Sequence, residues 1–327
     1  MNRRTFLAAT SAAALAPAAT HAAPRDLTAA EFHAARRFTR TPYGRVAHVE
    51  MGSGPAALFL HGFPLNGFQW RGALPRLASR RRCIAPDLMG LGHTEPAPGA
   101  RLDPRAQADM LAALLDRLGV ASVDLVANDS GGAVAQLFLA AHPRRVRSLV
   151  LTNCDTEPDS PPPALRPVIE MARAGDYPDR WLVPWLADKA LARSPRGLGG
   201  MCFSDPRHPT DEALDVYLAP LVATPARKRL TNAYALGLEA NPLAGTAPSL
   251  AASAAHTPVR ILWGEADTIF SPRSPDWLDR LFPASQGIRR LPSAKLFWPE
   301  EFPDVVAEEA VGIWAGAIER PRHHPAK

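Results

Sequence analysis

The chain has few of the residues from which disulfide-rich and metal-binding proteins are built. Among its 327 residues there are three cysteines, Cys83, Cys154 and Cys202, which are too few for a disulfide framework. No group of cysteines and histidines has the short spacing of a zinc site. The sequence therefore predicts neither a metal ion nor an organic cofactor. Cys83 and Cys154 are expected to be small buried side chains in core strands.

Long apolar runs and clusters of basic residues are also absent. No segment reaches the ~18 uninterrupted apolar residues of a transmembrane helix, so no stable membrane insertion is expected. The formal net charge is +5, but the basic residues are scattered apart from Arg80-Arg81-Arg82. A nucleic-acid-binding surface would need them clustered on one face. The sequence therefore predicts no nucleic-acid partner.

Apolar and charged residues occur in ordinary proportion. Apolar residues make up 46% of the chain and charged residues 21%, as in globular proteins. A chain of 327 residues is long enough for one large α/β domain with an inserted subdomain. Proline is abundant at 34 residues, and part of the surplus lies in loops such as Ser160-Pro161-Pro162-Pro163.

The N-terminus resembles a twin-arginine export signal. Arg3-Arg4 precedes an alanine-rich apolar stretch, which ends in the small-x-small sequence Thr20-His21-Ala22. Residues 1–22 are therefore predicted to be a removable signal, and the mature protein is predicted to be periplasmic or secreted.

The most informative segment predicts a strand, a sharp turn and a helix around Asp129. Such a turn, a nucleophile elbow, holds one reactive side chain over the end of a parallel sheet. It needs small residues two before and two after the nucleophile, and Ala127 and Gly131 satisfy this around Asp129. A shift by one makes Ser130 the nucleophile but places Asn128 at a small-residue position. An aspartate would form an alkyl ester, whereas a serine would carry out acyl transfer.

Strand and helix patterns alternate on both sides of this elbow. Asp103 followed by Pro104 predicts a helix start, and Gly119 predicts its end. The alternation is typical of a parallel, doubly wound α/β sheet. The predicted strands, in chain order, are Ala56–Leu60, Cys83–Ala85, the strand of the elbow, Leu149–Asn153 and Arg260–Trp263.

These landmarks together resemble the α/β-hydrolase superfamily, and within it the haloalkane dehalogenase and epoxide hydrolase branch. The first strand ends in His61-Gly62-Phe63-Pro64, and the last is followed by Gly264-Glu265-Ala266-Asp267. The resemblance extends from about Phe38 to about Ile318. It implies an α/β-hydrolase fold, a mostly parallel sheet with an inserted helical cap.

The period changes to helices between Glu157 and Ser249, where the family inserts its cap. The predicted limits are an N-terminal core part at 23–156, a cap at 157–248, a C-terminal core part at 249–319 and a tail at 320–327. The predicted cap helices are Leu165–Arg173, Asp179–Leu186, Asp211–Leu218 and Pro225–Glu239. The aromatic residues of the predicted cap either pack the cap on the core or line a substrate cleft. These residues are Trp181, Trp185, Tyr217 and Tyr234.

The resemblance also implies roles for five positions around Asp129. The backbone N–H groups of Phe63 and Ser130 would form the oxyanion hole for an ester on Asp129. The supporting acid would be Asp267, after the last predicted strand, or Asp155, after Leu149–Asn153. His61 would be a structural histidine.

The general base of the family is missing. The last family motif carries a catalytic histidine, and the matching segment here is Pro292–Pro303, with Leu296 at the histidine position. Leucine cannot activate water, so an ester on Asp129 would hydrolyse slowly. The adjacent Lys295 is a candidate substitute, because a desolvated lysine can act as a base.

The expected activity is hydrolysis of a small, largely apolar epoxide, alkyl halide or ester through a covalent ester on Asp129. Dehalogenases of this branch carry a halide-binding tryptophan where this chain has Ser130, and often an asparagine where it has Phe63. Epoxide opening needs a phenol from the cap, for which Tyr217 and Tyr234 are candidates. Two alternatives remain, a Ser130 esterase and a member of the fold that binds a small molecule without turnover.

Overall fold

The computed structural model describes residues 24–316 of the chain. The predicted export signal and the predicted tail lie outside the described residues. Within that range, none of the helices combines the length and the apolar character that crossing a membrane requires.

A nine-stranded sheet forms the centre of the described part of the chain. Its order is β1-β2-β4-β3-β6-β7-β8-β9, with β5 beside β2. The pairs that involve β2 are antiparallel, and the other pairs are parallel. The predicted mostly parallel α/β sheet is therefore confirmed. The strands are β1 Arg36–Thr41, β2 Gly44–Met51, β3 Ala56–Leu60, β4 Arg82–Pro86, β5 Glu95–Pro96, β6 Val123–Asp129, β7 Val146–Cys154, β8 Val259–Gly264 and β9 Ser285–Leu291.

Helices cover the sheet and fill the connections. Those in the described range are α1 Ala29–Ala35, α2 Ala73–Leu77, α3 Pro104–Arg117, α4 Ser130–Ala141, α5 Arg166–Ala174, α6 Val183–Ala187, α7 Lys189–Arg193, α8 Leu198–Cys202, α9 Asp211–Val222, α10 Pro225–Gly237, α11 Ala247–Ser253, α12 Ser274–Leu281, α13 Trp298–Glu301 and α14 Pro303–Ala315. Short 3-10 helices occupy Gly67–Trp70, Pro143–Arg145 and Pro163–Leu165, and a π-helical turn occupies Pro178–Leu182.

Helix α3 begins where the sequence predicts. The Asp103 carboxylate accepts hydrogen bonds from the backbone N–H groups of Arg105 and Ala106, and Pro104 is the first helical residue. The Asp103 carboxylate accepts from backbone N–H groups that have no partner inside the helix. Pro104 has no backbone N–H, so it leaves no donor unpaired at the first helical position. Gly119 follows the helix with a φ of 66°.

Strand β6 and helix α4 form the centre of the core. Every residue of β6 is buried, and so are the first ten residues of α4, Ser130 to Leu139. Parallel strands need both faces covered, which explains why this region is buried along its whole length. The carboxyl ends of β3, β6, β7 and β8 meet at one edge of the sheet, where proteins of this architecture bind ligands.

The chain between β7 and β8, described throughout, folds as α5–α11 with one isolated bridge between Thr156 and Asp159. Helices α5–α10 are called here the inserted helices. Helices α5, α9 and α10 lie at predicted positions, although α9 continues through Pro220 to Val222, beyond the predicted end at Leu218. Helices α7 and α8 were not predicted from the sequence. The helix predicted at Asp179–Leu186 forms as the π-helical turn followed by α6. The predicted domain limits remain predictions.

Candidate active site

Asp129 occupies a strained turn between β6 and α4. Its φ is 52° and its ψ is −132°, and no other non-glycine residue in the described range has a positive φ. Such a conformation costs about 1–3 kcal/mol and persists only where the surroundings enforce it. The surroundings of the turn are tightly packed at Gly131, because a Cβ atom there would lie 2.6 Å from the His61 carbonyl oxygen. Asp129, and not Ser130, is therefore the residue at the apex of the turn.

Two backbone N–H groups hold the Asp129 carboxylate. The N–H of Phe63 donates a hydrogen bond of 2.6 Å to Oδ2, and the backbone N–H of Ser130 also hydrogen-bonds the carboxylate. Gly62 makes the approach possible, since a Cβ atom there would lie 2.7 Å from the Asp129 Cβ. The two N–H groups predicted as an oxyanion hole thus converge on the predicted nucleophile.

His61 holds the loop that carries Phe63. Its Nδ1 lies 2.8 Å from the Gly62 carbonyl oxygen, and its Nε2 accepts a hydrogen bond from the Leu88 N–H. Complete burial lowers the pKa of His61 and keeps the imidazole neutral. Both ring nitrogens are therefore engaged by the backbone, as a structural histidine requires.

An apolar cavity of about 130 Å³ opens on the Asp129 carboxylate. Its polar lining comes from Asp129, Ser130, Asp155 and Ser160, among other residues, and none of the lining residues in the described range is a histidine. The aromatic side chains that line it are Phe63, Tyr177, Trp181, Trp185 and Phe270. The cavity thus combines a buried carboxylate with a mostly apolar wall, the usual composition of a small-molecule site.

The electrostatics of this cavity are those of buried carboxyl groups, with no basic side chain among the described residues that line it. Burial is the main cause that raises the pKa of Asp129, which lies at about 6. The hydrogen bonds from the Ser130 and Phe63 N–H groups lower this pKa, and the charge of Asp267 raises it. At neutral pH Asp129 is therefore mostly ionised and nucleophilic.

Asp155 lies in the same cavity. Its Oδ1 accepts a hydrogen bond of 2.7 Å from the Ser160 hydroxyl. Burial raises the pKa of Asp155 to about 8, and the charge of Asp129 adds to the effect. At neutral pH Asp155 is therefore mostly protonated.

Asp267 lies behind the cavity and is not part of its lining. Its Oδ1 accepts from the Ile269 N–H at 2.8 Å, and its Oδ2 accepts from the Asn153 amide at 2.9 Å. Burial raises the pKa of Asp267. Both oxygens of the Asp267 side chain therefore accept hydrogen bonds from amide N–H groups.

Leu296 occupies the predicted position of the base and lines the cavity with its side chain. Only 3% of its surface is exposed. Its carbonyl oxygen accepts a hydrogen bond of 3.0 Å from the Asn128 amide. A buried apolar side chain thus lies where the sequence analysis expects the base.

Lys295 does not substitute for the base. Its Nζ donates to the Gly200 carbonyl oxygen at 2.7 Å, and its side chain is not part of the cavity lining. Adjacent residues on this loop point to different sides, so the burial of Leu296 in the cavity directs Lys295 towards α8.

Tyr217 is also remote from the cavity, contrary to its predicted role as the acid for epoxide opening. Its hydroxyl donates to Glu300 Oε2 at 2.7 Å and accepts from Arg71 Nη1 at 3.2 Å. Arg71 forms a buried ion pair of 2.7 Å with Glu300. Tyr217 completes this buried cluster and connects α9 to the core.

Two other tyrosines, Tyr177 and Tyr234, are closer to the site. The Tyr234 ring stacks on Phe63, and its hydroxyl lies 3.2 Å from Ser130 Oγ. Tyr177, which the sequence analysis did not identify, lines the cavity directly. The only sequence signal for Tyr177 was an aromatic residue in the segment predicted to cover the site.

Comparison with known proteins assigns the fold family. Residues 55–297 match the model of the family described as alpha/beta hydrolase fold. The chain belongs to the α/β-hydrolase family.

Haloalkane dehalogenases and epoxide hydrolases are among the proteins that the chain resembles. This α/β-hydrolase is 27% identical to Haloalkane dehalogenase 2 of Mycobacterium tuberculosis over 81% of its own length and 89% of that protein. It is 46% identical to Epoxide hydrolase 2 of Siraitia grosvenorii, over 32% of its own chain and 34% of that relative's length. Its structure is similar to the haloalkane dehalogenase DbeA of Bradyrhizobium elkani, with a TM-score of 0.67, 27% identity and coverage of 86% and 99% of the two chains.

Proposed function

We propose that this α/β-hydrolase acts on a small, largely apolar epoxide, alkyl halide or ester by forming a covalent ester on Asp129. The observation that carries the proposal is the strained Asp129 carboxylate, held by the Phe63 N–H at 2.6 Å and facing an apolar cavity. The relationship to haloalkane dehalogenases and epoxide hydrolases supports the same chemistry.

Asp129 would react through one oxygen while the backbone holds the other. Oδ2 stays with the Phe63 N–H, and Oδ1 attacks the substrate carbon. When water later attacks the ester carbonyl, charge develops on the oxygen that faces the two N–H groups. The cavity volume of about 130 Å³ favours substrates of a few carbon atoms up to the size of a small ring.

Ester hydrolysis is the step for which the family base is missing. Asp267 has no histidine to orient, and Leu296 cannot accept a proton. The covalent ester is therefore expected to persist longer than in an enzyme with a complete triad.

The geometry gives the Ser130 esterase less support. Ser130 is the first residue of α4, and the strained apex belongs to Asp129. The side-chain partner of Ser130 Oγ across the site is the Tyr234 hydroxyl, at 3.2 Å, and not an imidazole.

Leu296 favours a second candidate function, in which the cavity binds an apolar molecule without turning it over. A leucine in place of the base adds apolar contact area and removes the group that activates water. A ligand would then bind beside Asp129 and leave unchanged.

Mass spectrometry of the intact mature protein tests the proposal. After incubation with small epoxides, alkyl halides and esters, the proposal expects a mass increase of one substrate, mapped to Asp129 by peptide analysis. The Asp129→Asn variant should show neither adduct nor product. Product that survives in Asp129→Asn would refute the mechanism, and binding with neither adduct nor product would favour the binding protein.

A further inference from the structure

Asp129 and Asp155 lie at the ends of neighbouring parallel strands. Asp129, the last residue of β6, pairs in register with Cys154, the last residue of β7, and Asp155 follows directly. Neighbouring strands are about 4.8 Å apart, so the two carboxyl groups project from adjacent positions of one sheet edge. Both line the same cavity.

Asp155 is held in place but is not neutralised by a cation. Only 7% of its surface is exposed, and its Oδ1 accepts from the Ser160 hydroxyl. Its carbonyl oxygen accepts a hydrogen bond of 2.8 Å from the Gln136 amide of α4. It forms no ion pair with any basic residue in the range 24–316.

The two carboxyl groups have different protonation states at neutral pH. Asp129, with a pKa raised by burial to about 6, is mostly ionised, whereas Asp155, with a pKa raised by burial to about 8, is mostly protonated. The charges of Asp129 and Asp159 both raise the pKa of Asp155. One ionised and one neutral carboxyl group in one cavity form a nucleophile and an acid.

We propose that Asp155 is the proton donor, and then the proton acceptor, for the reaction at Asp129, and that the site therefore prefers epoxides. The inference rests on the proposed function of Asp129 as a nucleophile. It differs from the role of a supporting acid, because here Asp155 exchanges protons with the substrate and with water directly.

In the first step, Asp129 Oδ1 attacks an epoxide carbon and the carbon–oxygen bond of the ring breaks. The electron pair of that bond goes to the ring oxygen, which takes the proton of the Asp155 carboxylic acid. The products are a hydroxyalkyl ester on Asp129 and an ionised Asp155. A halide leaving group needs no proton, so Asp155 favours substrates whose leaving atom is oxygen.

In the second step, the Asp155 carboxylate takes a proton from water while the water oxygen attacks the ester carbonyl carbon. The N–H groups of Phe63 and Ser130 stabilise the resulting oxyanion. Collapse breaks the bond to the alkyl oxygen, which takes the acyl proton, and the diol leaves. Asp129 is again ionised and Asp155 is again protonated, so the step needs no histidine.

Tyr177 is the competing proton donor, since it also lines the cavity. Burial raises the pKa of Tyr177 far above neutrality. Asp129 contributes to the raised pKa of Asp155 but is not among the causes of the shift at Tyr177. Electrostatic coupling to the nucleophile therefore favours Asp155 as the donor.

The test compares butylene oxide with n-butyl bromide as alkylating probes of wild type and Asp155→Asn. The rate is measured as the sum of adduct on Asp129 and released product. In Asp155→Asn, the rate with butylene oxide should fall by about 10²–10⁴, whereas the rate with n-butyl bromide should stay within about twofold. The butyl ester, once formed, should persist longer in the variant because the water-activating base is gone.

Two matched variants serve as controls. Glu157→Gln removes the charge of a nearby carboxylate that accepts from the Gly245 and Ala247 N–H groups and does not line the cavity, so it should keep the wild-type ratio of the two rates. Tyr177→Phe should also keep the wild-type ratio of the epoxide rate to the bromide rate. A loss of the epoxide rate in Tyr177→Phe but not in Asp155→Asn would overturn the inference and assign the donor to Tyr177.

The pH dependence of wild type provides a test without any variant. The titratable groups that face Asp155 are Asp129, Cys154, Asp159 and Tyr234, and burial raises the pKa of Cys154 and of Tyr234 further above neutrality. The epoxide rate should rise through the pKa of Asp129 and fall through that of Asp155, whereas the bromide rate should only rise. An epoxide rate that stays at its plateau above about pH 8 would overturn the inference. Absence of any adduct or product with both probes would overturn the proposed function itself.

Discussion

The Asn128 amide donates a hydrogen bond of 3.0 Å to the carbonyl oxygen of Leu296 and so connects the end of β6 to the loop that carries Leu296. The same amide nitrogen donates to Thr152 Oγ1 at 2.9 Å, and Asn128 Oδ1 accepts from Gln69 Nε2 at 2.6 Å. Gln69 Oε1 in turn accepts from the Gly62 N–H. One buried amide therefore connects the elbow, the loop of the N–H groups and the Leu296 loop.

Replacing Asn128 with alanine should destabilise the protein. The change leaves Gln69 Nε2 and the Leu296 carbonyl oxygen buried without partners, which is expected to cost about 2–4 kcal/mol of unfolding free energy. Urea denaturation measures the loss. Gln286→Ala, which removes one hydrogen bond on a half-buried side chain, should cost less than about 1 kcal/mol. Equal costs for the two variants would contradict the bridging role of Asn128.

Restoring histidine at Leu296 should accelerate hydrolysis of the Asp129 ester. The side chain at 296 lines the cavity beside Asp129, where an imidazole could activate water. The expected gain in the rate of ester loss is about 10²–10⁴, measured in a single turnover by mass spectrometry. Leu296→Gln is the matched control, since it introduces a polar side chain of similar size without a base. Equal rates in the two variants would exclude a general-base effect.

Asp155→Asn should stabilise the protein most at alkaline pH. Burial raises the pKa of Asp155 from 3.8 to about 8, so the folded state holds a proton that the unfolded state releases above its own pKa. The contribution of protonated Asp155 to the free energy of unfolding is fully present below about pH 4 and is lost as the pH rises towards 8. Asparagine cannot ionise, and its amide oxygen still accepts from Ser160.

Thermal unfolding at about pH 5.5 and about pH 8.5 measures this difference. The melting temperature of Asp155→Asn relative to wild type should be higher at the alkaline pH than at the acidic pH. If the difference in melting temperature between Asp155→Asn and wild type is the same at both pH values, Asp155 is already ionised in the folded protein at the lower pH.

Tyr217→Phe should lower stability without changing the alkylation of Asp129. The variant removes the hydroxyl that donates to Glu300 and accepts from Arg71, which is expected to cost about 1.5–3 kcal/mol. Because Tyr217 does not line the cavity, the alkylation rate should stay within about twofold. Denaturation and adduct formation are measured on the same preparation. A large loss of alkylation with unchanged stability would assign Tyr217 to the site.

The sequence predicted the elements whose cause is local. Asp103 and Pro104 start α3 because a capping carboxylate and a proline satisfy the helix end by themselves. Ala127 and Gly131 marked Asp129 as the apex because the turn leaves no room for a Cβ atom at Gly131. The sequence likewise shows directly that position 296 is a leucine and not a histidine.

The contents of the site were decided by tertiary structure. Lys295 and Tyr217 were plausible from the sequence, yet one binds the Gly200 carbonyl oxygen and the other joins Arg71 and Glu300. Tyr177 reaches the cavity from the inserted helices, whose packing no local pattern specifies.

The sequence by itself determined the α/β sheet, the place of Asp129 in the turn after β6 and the leucine at position 296, because each follows from residue types at fixed spacing along one stretch of chain. Only the tertiary structure decided that Asp155 lies in the same cavity as Asp129, with no ion pair to a basic residue of the described range. The protonation state of a carboxyl group depends on burial and on charges that are distant in sequence but close in space, and folding alone brings those together.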